Sequence, residues 1–252
     1  RRKADLMRSA FTQLSHAGAR AFDLDAVTVL GDEAKFAEVV PQGTVLVLDA
    51  TASLKVLAAQ SSSHLLTNTG ARLARAALYG QGRCAVVALE GCQRLVTTDD
   101  LTALLFERCR SDAVLRTALK GDSSELTQVF VGDNCRSLTM PMSDAVVSRS
   151  AALLAMQIER WLVAGLPDSG QLGVGAQQSD GIGMTWTLVS QAATTVLPVQ
   201  DDGGWTVRVL AGVRDAINAD ASRWGAKETG GALVGHVSYE ARTIVVAGLL
   251  TA

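Results

Sequence analysis

The sequence predicts an α/β protein built around an open, mostly parallel sheet. Residues 20–30 alternate in the manner of a strand, and an acidic helical pattern follows at residues 31–40. Residues 44–53, TVLVLDATAS, are then a continuous apolar run that leads to Asp49, which is typical of a central parallel strand buried on both faces. Strand, helix and strand in this order indicate an open α/β sheet.

The composition limits the classes of function. The chain has 252 residues, of which 48% are hydrophobic and 19% charged, so it can form one or two domains with large cores. The formal net charge of −2 and the pI near 5.9 argue against nucleic acid or an anionic membrane as a partner. No apolar run approaches the ~20 residues that a membrane-spanning helix needs.

The cysteines suggest neither disulfides nor structural zinc. Cys84, Cys92, Cys109 and Cys135 have no CxxC spacing and no neighbouring histidine cluster. Free thiols indicate a reducing, cytoplasmic environment. The chain also begins without methionine, directly in a helical pattern, so we expect a fragment that lacks both natural ends.

Residues 1–166 form the first predicted region. Its further elements are predicted as a helix at 3–16, a strand at 84–91, a helix at 99–109 and the longest helix at 142–163. The alanine-rich stretch at 54–80 is helical, with a break into a turn and strand at SSSHLL as the alternative. Ser143 or Asp144 is the expected N-cap of that last helix.

The character of the chain changes after Leu166. Residues 167–204 are rich in small and polar residues and predict a linker with β-segments, at 185–190 and 193–199. Residues 205–252 form a third region, where a strand enters a helix that Gly225 ends. Two further strands follow, KETGGALVGH and RTIVVAGLL. We expect the domain boundary to lie between the first and third regions.

Asp49 is the first candidate for a functional residue, because it ends the predicted central strand. In open α/β sheets, ligands collect at the carboxyl ends of the strands. A carboxylate at that place can hold a ribose hydroxyl, a magnesium ion or an amine. The alternative is that Asp49 caps the helix that starts at Ser53.

Cys135 is the second candidate, in VGDNCRSLTMPMSDAVV just before the long helix. A helix N-terminus and the neighbouring Arg136 can lower the pKa of a thiol and produce a thiolate nucleophile. The alternative is a small core residue, which is the role expected for the other three cysteines. The histidines at positions 16, 64 and 236 have no second ligand at metal spacing and are expected to be structural.

Taken together, residues 3–166 resemble the latter part of an E1-like, ThiF-type adenylating domain, the family that activates ubiquitin-like and sulfur-carrier proteins. KADLMRSAFTQLSH is similar to the family's helix that begins with an ATP-phosphate-binding lysine, here Lys3. TVLVLDATAS resembles the strand that ends in D-x-T, with Asp49 as the matching aspartate. VGDNCRSLTMPMSD resembles the segment whose cysteine carries a thioester, which assigns Cys135 and the nearby Thr139.

Residues 206–252 resemble the start of a JAB/MPN (JAMM-type) metalloprotease domain. That family has a helix followed by a strand with the pattern E-x-G-G-x-L-x-G, which ETGGALVG at 228–235 matches. The resemblance implies that Glu228 helps to activate a zinc-bound water. The family's zinc ligands would follow Ala252, and Ala52 stands where the adenylating family often has a second, magnesium-binding aspartate.

The two resemblances together imply a bacterial fusion protein of a ubiquitin-like conjugation system. Such a protein uses ATP and Mg²⁺ to adenylate a modifier, forms a thioester with it, works with an E2-like protein or domain, and carries a zinc-dependent isopeptidase. We expect the 252 residues alone to be inactive. The alternatives are a non-catalytic scaffold that binds a modifier or forms a homodimer through residues 142–163, and an ordinary nucleotide-dependent α/β enzyme.

Overall fold

A computed structural model describes residues 2–13, 18–51, 53–120, 142–199, 203–225, 230–239 and 241–251. Its helices are α1 (Arg2–Gln13), α2 (Ala26–Leu30), α3 (Glu33–Val39), α4 (Leu54–Ser62), α5 (His64–Asn68), α6 (Thr98–Ser111), α7 (Ala113–Lys120), α8 (Asp144–Ala164) and α9 (Ala211–Trp224). Its strands are β1 (Leu46–Asp49), β2 (Arg72–Tyr79), β3 (Cys84–Leu89), β4 (Gly170–Gln177), β5 (Met184–Gln191), β6 (Thr195–Pro198), β7 (Thr206–Val209), β8 (Gly231–Ser238) and β9 (Thr243–Thr251).

The α/β class is confirmed, but the expectation of a mostly parallel sheet is wrong. The first sheet has the strand order β1-β2-β3-β4-β5, and only β1 and β2 are parallel. A parallel pair needs a long crossover connection, which α4 and α5 provide between β1 and β2. The short turn Gly80–Gly82 joins β2 to β3 and therefore forces an antiparallel pair.

The strand at the centre of the first sheet is β3, not β1. All six residues of β3 are buried, whereas β1 lies at one end of the strand order and Leu48 remains 46% exposed. The apolar run at 44–53 therefore predicted a strand correctly and its central position wrongly. A run of apolar residues does not by itself distinguish a central strand from an outer one that other elements cover on one face.

Two local predictions in the first region are corrected. Residues 26–30 form a helix and not a strand, because the Asp25 carboxylate accepts a hydrogen bond from the Thr28 N–H (2.9 Å) and caps it. The stretch at 54–80 is helical only as far as Asn68, and the alternative of a turn and strand is realised after it, where β2 follows. Gly70, at φ 68°, supplies the left-handed turn between them.

Both β4 and β5 come from residues 167–204, which were expected to be a linker with β-segments. They extend the first sheet from β3 outward. Gly173 is required there, because a Cβ atom would lie 2.6 Å from the ring of Trp186 and 2.9 Å from Val87. This segment thus supplies two strands of the first sheet and also β6 of the second, while the domain boundaries themselves remain a prediction.

Helices cover both faces of the first sheet. One face packs against α6 and α7 around the core residues Val86, Leu101, Leu105 and Leu172. The other face packs against α8, through Leu154 and Trp161. Ser143 is the N-cap of α8, as predicted, and accepts a hydrogen bond from the Val146 N–H (3.3 Å). Within the described residues, no helix combines the length and apolar character that crossing a bilayer requires.

The second sheet has the strand order β6-β7-β9-β8 and packs against α6 and α9. The predicted strand-to-helix sequence at 205–225 and the two final strands are confirmed, and Gly225 ends α9 at φ 60°. Gly235 lies at a bulge, where an added Cβ atom would overlap the Val245 carbonyl. Helix α6 therefore lies between the two sheets and contacts both.

A buried ion pair joins the sheets at the start of α6. Asp100 is fully buried and binds the Arg208 guanidinium of β7, with Nη2–Oδ2 at 2.7 Å and Nε–Oδ1 at 2.9 Å. Its Oδ2 atom also accepts from the Thr194 hydroxyl (3.1 Å) and the Thr97 N–H (2.8 Å). Water cannot reach the Asp100 carboxylate. If one donor is removed, no water replaces it, and negative charge is left unpaired in the core.

We expect Arg208→Met to lower the free energy of unfolding by about 3 kcal/mol, because it leaves the Asp100 carboxylate buried without its cation. Urea denaturation measures the change. Arg214→Met is the matched control: Arg214 is half exposed and pairs with the exposed Asp215, so its loss should cost less than about 1 kcal/mol. Equal losses from the two variants would contradict the role assigned to the Asp100–Arg208 pair.

Candidate functional site

The candidate site lies at the turn between β1 and α4. Asp49 is 3% exposed, and its Oδ1 atom accepts hydrogen bonds from the Thr51 N–H (2.8 Å) and the Thr51 hydroxyl (2.7 Å). Ser53 and not Asp49 caps α4, by accepting a hydrogen bond from the Val56 N–H (3.4 Å). The Oδ1 atom of Asp49 therefore stabilises the turn, and the Oδ2 atom takes no part in it.

Arg75 is the charged group nearest to that second oxygen. It lies opposite Asp49 in the parallel pair of β1 and β2, with its Nε atom 3.9 Å from Asp49 Oδ2. This distance allows attraction but is too long for a hydrogen bond. Neither Nε nor Oδ2 has a hydrogen-bond partner among the described residues. The carboxylate is thus held electrostatically and remains able to accept a hydrogen bond.

A second carboxylate, Asp99, lies close to the same arginine at the first turn of α6. It is 4% exposed and accepts a hydrogen bond from the Ser61 hydroxyl of α4 (2.8 Å). Burial raises the pKa of Asp99 above its ordinary value, while the Ser61 hydrogen bond and electrostatic interactions with His236 and Arg75 partly oppose that shift. The acceptors within reach of the single Ser61 hydroxyl proton are the Asp99 carboxylate and the Leu57 carbonyl (3.1 Å), so Ser61 is not arranged as a histidine-activated nucleophile.

A third buried acid, Glu90, has a structural role. Its carboxylate binds Arg94 Nε (2.9 Å) and the Thr98 N–H (3.0 Å), which ties the end of β3 to the start of α6. Burial raises the pKa of Glu90, and the Arg94 charge opposes the shift. With both Arg94 and Thr98 in place, Glu90 is satisfied within the fold and is not a candidate for chemistry.

An open pocket of about 310 Å³ lies next to Asp49, between β1, α4 and the α2–α3 segment. Of its fifteen lining residues, twelve are apolar, and Asp49, Thr51 and Gln60 supply the polar atoms. Gln60 is 5% exposed, and its Oε1 atom, like Asp49 Oδ2, has no hydrogen-bond partner in the described part of the chain. An apolar pocket with a few polar residues in its lining is the feature of this site that most directly indicates a ligand.

One of the predicted site residues has both its backbone and its side chain within the described part of the chain. Asp49 ends β1 as expected. Lys3 lies in α1, but its side chain falls outside the described set. Cys135 and Thr139 lie in residues 121–141, and Glu228 in residues 226–229, so these assignments lie outside the described residues and stay predictions.

Sequence reasoning missed Arg75, Gln60 and Asp99. The available signal was an arginine in the interior of the strand RLARAALY, which also begins with one, because a charge in the middle of a strand among apolar residues needs a partner. An acid pair at the start of a helix, as in α6, is favourable there without any ligand and therefore gave no signal. Nothing local showed that Asp99 would meet Ser61, thirty-eight residues earlier in the chain.

Two of the described cysteines have the surroundings of structural residues. Cys84 is fully buried, and burial raises the pKa of its thiol to about 12. Burial also raises the pKa of the Cys109 thiol. A thiol held protonated in the core is a poor nucleophile, so the structural role predicted for these two residues is supported.

Comparison with known proteins yields no match: no family model, no curated protein and no solved structure matches the chain.

A magnesium site centred on Asp49 does not fit the surrounding residues. One carboxylate oxygen is occupied by Thr51, the other faces the Arg75 cation, and the adjoining pocket is mostly hydrocarbon. Mg²⁺ keeps several waters and requires an octahedral set of oxygen atoms, which this setting does not supply. Zinc fits no better in the described part of the chain, where no three histidine, cysteine or acidic side chains cluster.

The raised pKa of Asp99 predicts a pH dependence of stability. The folded protein holds this proton more tightly than the unfolded chain, so the free energy of unfolding falls as the pH rises from 3.8 through the folded pKa. Asp99→Asn removes the charge and keeps an acceptor for Ser61. We expect this variant to be more stable than the parent protein at pH 7, with the advantage shrinking on acidification.

Urea denaturation of both proteins between pH 4 and pH 7 tests this prediction. Asp215→Asn is the control, because Asp215 is exposed and pairs with an exposed arginine. A stability difference for Asp99→Asn that is constant across the range would show that burial of the charge is not its cause.

Proposed function

We propose that the protein activates the C-terminal carboxylate of a ubiquitin-like modifier, first by adenylation with ATP and then by transfer to a cysteine as a thioester. The observation that carries the proposal is the position of Asp49. It ends β1, which continues through α4 and α5 into the parallel strand β2, and ligands of α/β proteins bind at the carboxyl ends of such strands. The resemblance of the lysine, D-x-T and cysteine segments to E1-like, ThiF-type domains supplies the reaction.

The first chemical step is an adenylyl transfer. A carboxylate oxygen of the modifier attacks the α-phosphorus of ATP, the bond to the bridging oxygen of the β-phosphate breaks, and pyrophosphate leaves with the electron pair. Lys3 has the role of the cation that compensates phosphate charge. Mg²⁺ enters as the ATP complex, and no step depends on a metal held by Asp49.

The second step forms the thioester. The Cys135 thiolate, its proton released to water, attacks the acyl carbon of the adenylate. The carbon–oxygen bond to the phosphate breaks, and AMP leaves. An E2-like protein or domain is the proposed acceptor of the modifier. Glu228 belongs to a proposed JAB-type isopeptidase, an assignment that rests on the ETGGALVG resemblance alone.

A non-catalytic scaffold is the second candidate, and one observation favours it. The outer face of α8 exposes Met156 (56%), Leu162 (52%) and Val163 (83%). Large apolar side chains grouped on one helix face are typical of a protein-binding surface. In this alternative, α8 binds the modifier or a second copy of the chain, and the Asp49 turn has only a structural role.

An assay of the protein as its natural gene encodes it, supplied with ATP and a ubiquitin-like protein, distinguishes the two candidates. We expect ATP–pyrophosphate exchange that depends on the modifier and an adduct that a thiol reductant releases. Lys3→Met should reduce the exchange at least about tenfold, because it removes a charge that stabilises the transition state. Cys135→Ala should abolish the adduct and leave the exchange intact.

Lys35→Met and Cys109→Ala are the matched controls, and both should behave as the parent protein. A reducible, ATP-dependent adduct in Cys135→Ala would refute the assignment of that residue. Binding of the modifier without any exchange by the parent protein would favour the scaffold.

A further inference from the structure

We propose that a pocket between the β4–β5 face of the first sheet and the α6–α7 junction binds a small zwitterion, an α-amino acid with an aliphatic side chain, through Arg108 and Asp112. The pocket lies at the opposite end of the strand order from β1, so a ligand there does not occupy the place beside Asp49. The inference goes beyond adenylation and does not depend on it, because binding requires neither ATP nor a modifier.

The floor of the pocket is one face of the β4–β5 pair. In the register of this pair, Thr187 lies opposite Val174, and Thr185 lies opposite Ala176. Side chains that lie directly opposite each other, or two residues apart on a strand, share a face of the sheet. Val174 and Ala176 belong to the core that α6 and α7 cover, so the two threonine side chains also project towards these helices.

Arg108 and Asp112 bring opposite charges to this pocket from the end of α6. Arg108 lies one turn after Leu105 and two turns after Leu101, both of which are buried against the sheet, and Asp112 follows one turn later. Residues three or four apart lie on the same face of a helix, so both charges lie on the side of α6 that faces the sheet. The floor and the two charges therefore enclose the same space.

Neither charge is satisfied within the described part of the chain. Arg108 Nε is buried there without a hydrogen-bond partner. The two Nη atoms also donate to no described residue, and since they are not among the buried unpaired atoms, they are open to solvent. Asp112 Oδ1 accepts a hydrogen bond from the Leu115 N–H (2.9 Å), whereas Oδ2 has no such partner and is not buried. A ligand can therefore reach the Nη atoms and Oδ2.

This pair of charges favours a zwitterion over the other ligand classes. A guanidinium binds a carboxylate through two parallel hydrogen bonds, and a threonine hydroxyl can donate another. A simple anion would face the Asp112 carboxylate, and a simple cation would face Arg108. An α-amino acid carries a carboxylate and an ammonium on the same carbon atom and can pair with both residues.

The rest of the lining and the volume define the side chain of the ligand. The pocket encloses about 200 Å³, and a cavity of about 150 Å³ holds benzene. A ligand of roughly eight non-hydrogen atoms, the size of valine, fits this space. Contact with the apolar part of the lining removes hydrocarbon from water, so an aliphatic side chain is favoured. That part consists of Val114, Leu115, Val174 and Ala176.

Calorimetric titration at pH 7 with three ligands of nearly the same shape tests the inference. They are L-valine, L-valinamide, in which an amide replaces the carboxylate, and 2-hydroxy-3-methylbutanoate, in which a hydroxyl replaces the ammonium. We expect valine to bind at least about tenfold more tightly than either analogue, because each analogue exchanges a charged partner for a neutral one. Arg108→Met should remove the preference over the amide. Asp112→Asn keeps an oxygen atom for the Leu115 N–H and should remove the preference over the hydroxy acid.

Arg110→Met is the matched control, because the Arg110 side chain belongs to the same helix, is 46% exposed and pairs with Glu107. This variant should bind valine as the parent protein does. The comparison of the three ligands uses the unaltered protein, so it is decisive even if a variant does not fold.

Three results would overturn the proposal. The first is that valine does not bind, or binds no more tightly than its two analogues. The second is that Arg108→Met and Asp112→Asn both fold and leave valine binding unchanged. The third is that inorganic phosphate binds more tightly than valine and displaces it, which would show a site for simple anions.

Discussion

A single buried carboxylate, Asp100, holds the two sheets of this protein together. It binds the first residue before α6, the threonine that precedes β6 and the arginine in the middle of β7. The Leu95 carbonyl also accepts hydrogen bonds from the Thr194 N–H (3.1 Å) and from Arg208 Nη2 (3.3 Å). Apolar packing around Ala103, Leu210 and Val245 completes the junction. Apolar packing tolerates sliding, whereas hydrogen bonds from three residues to one charge do not. The orientation of the second sheet therefore follows from this one residue.

The same helix end positions the candidate site. The capping box of Thr97 and Asp100 fixes the first turn of α6, which places Asp99 against Ser61 and near Arg75. In this way the crossover from β1 to β2 is held from the side by a helix that follows β3. The same contacts position the polar end of the pocket beside Asp49, because α4 carries both Ser61, which binds Asp99, and Gln60, which lines the pocket.

The sequence predicted elements well where the signal is local. The acidic helix at residues 33–39, β3, α6, α8 and the strand-to-helix passage at 206–224 each follow from periodicity and caps. It failed where the decision is made by distant residues. The antiparallel pairing of β2, β3, β4 and β5 depends on which strands meet. The short alternating pattern near Asp25 predicted a strand, but a capping hydrogen bond stabilises a helix there. For the site, the end of a strand located Asp49, but its neighbours Arg75, Gln60 and Asp99 come from three other elements and carry no common motif.

At the glycines of β4, which have no side chains of their own, one side chain from the neighbouring strand fills the space. The Trp186 ring from β5 lies over Gly173 and Gly175 and occupies the space that their own side chains would need. The hydrophobic layer between this part of the sheet and α8 thus belongs to a neighbouring strand. Such positions are constrained jointly. A larger residue at either glycine fits only if Trp186 is replaced by a smaller side chain. A smaller side chain in place of Trp186 leaves a cavity unless a glycine is also replaced. Natural variation at these three positions is therefore expected to be correlated.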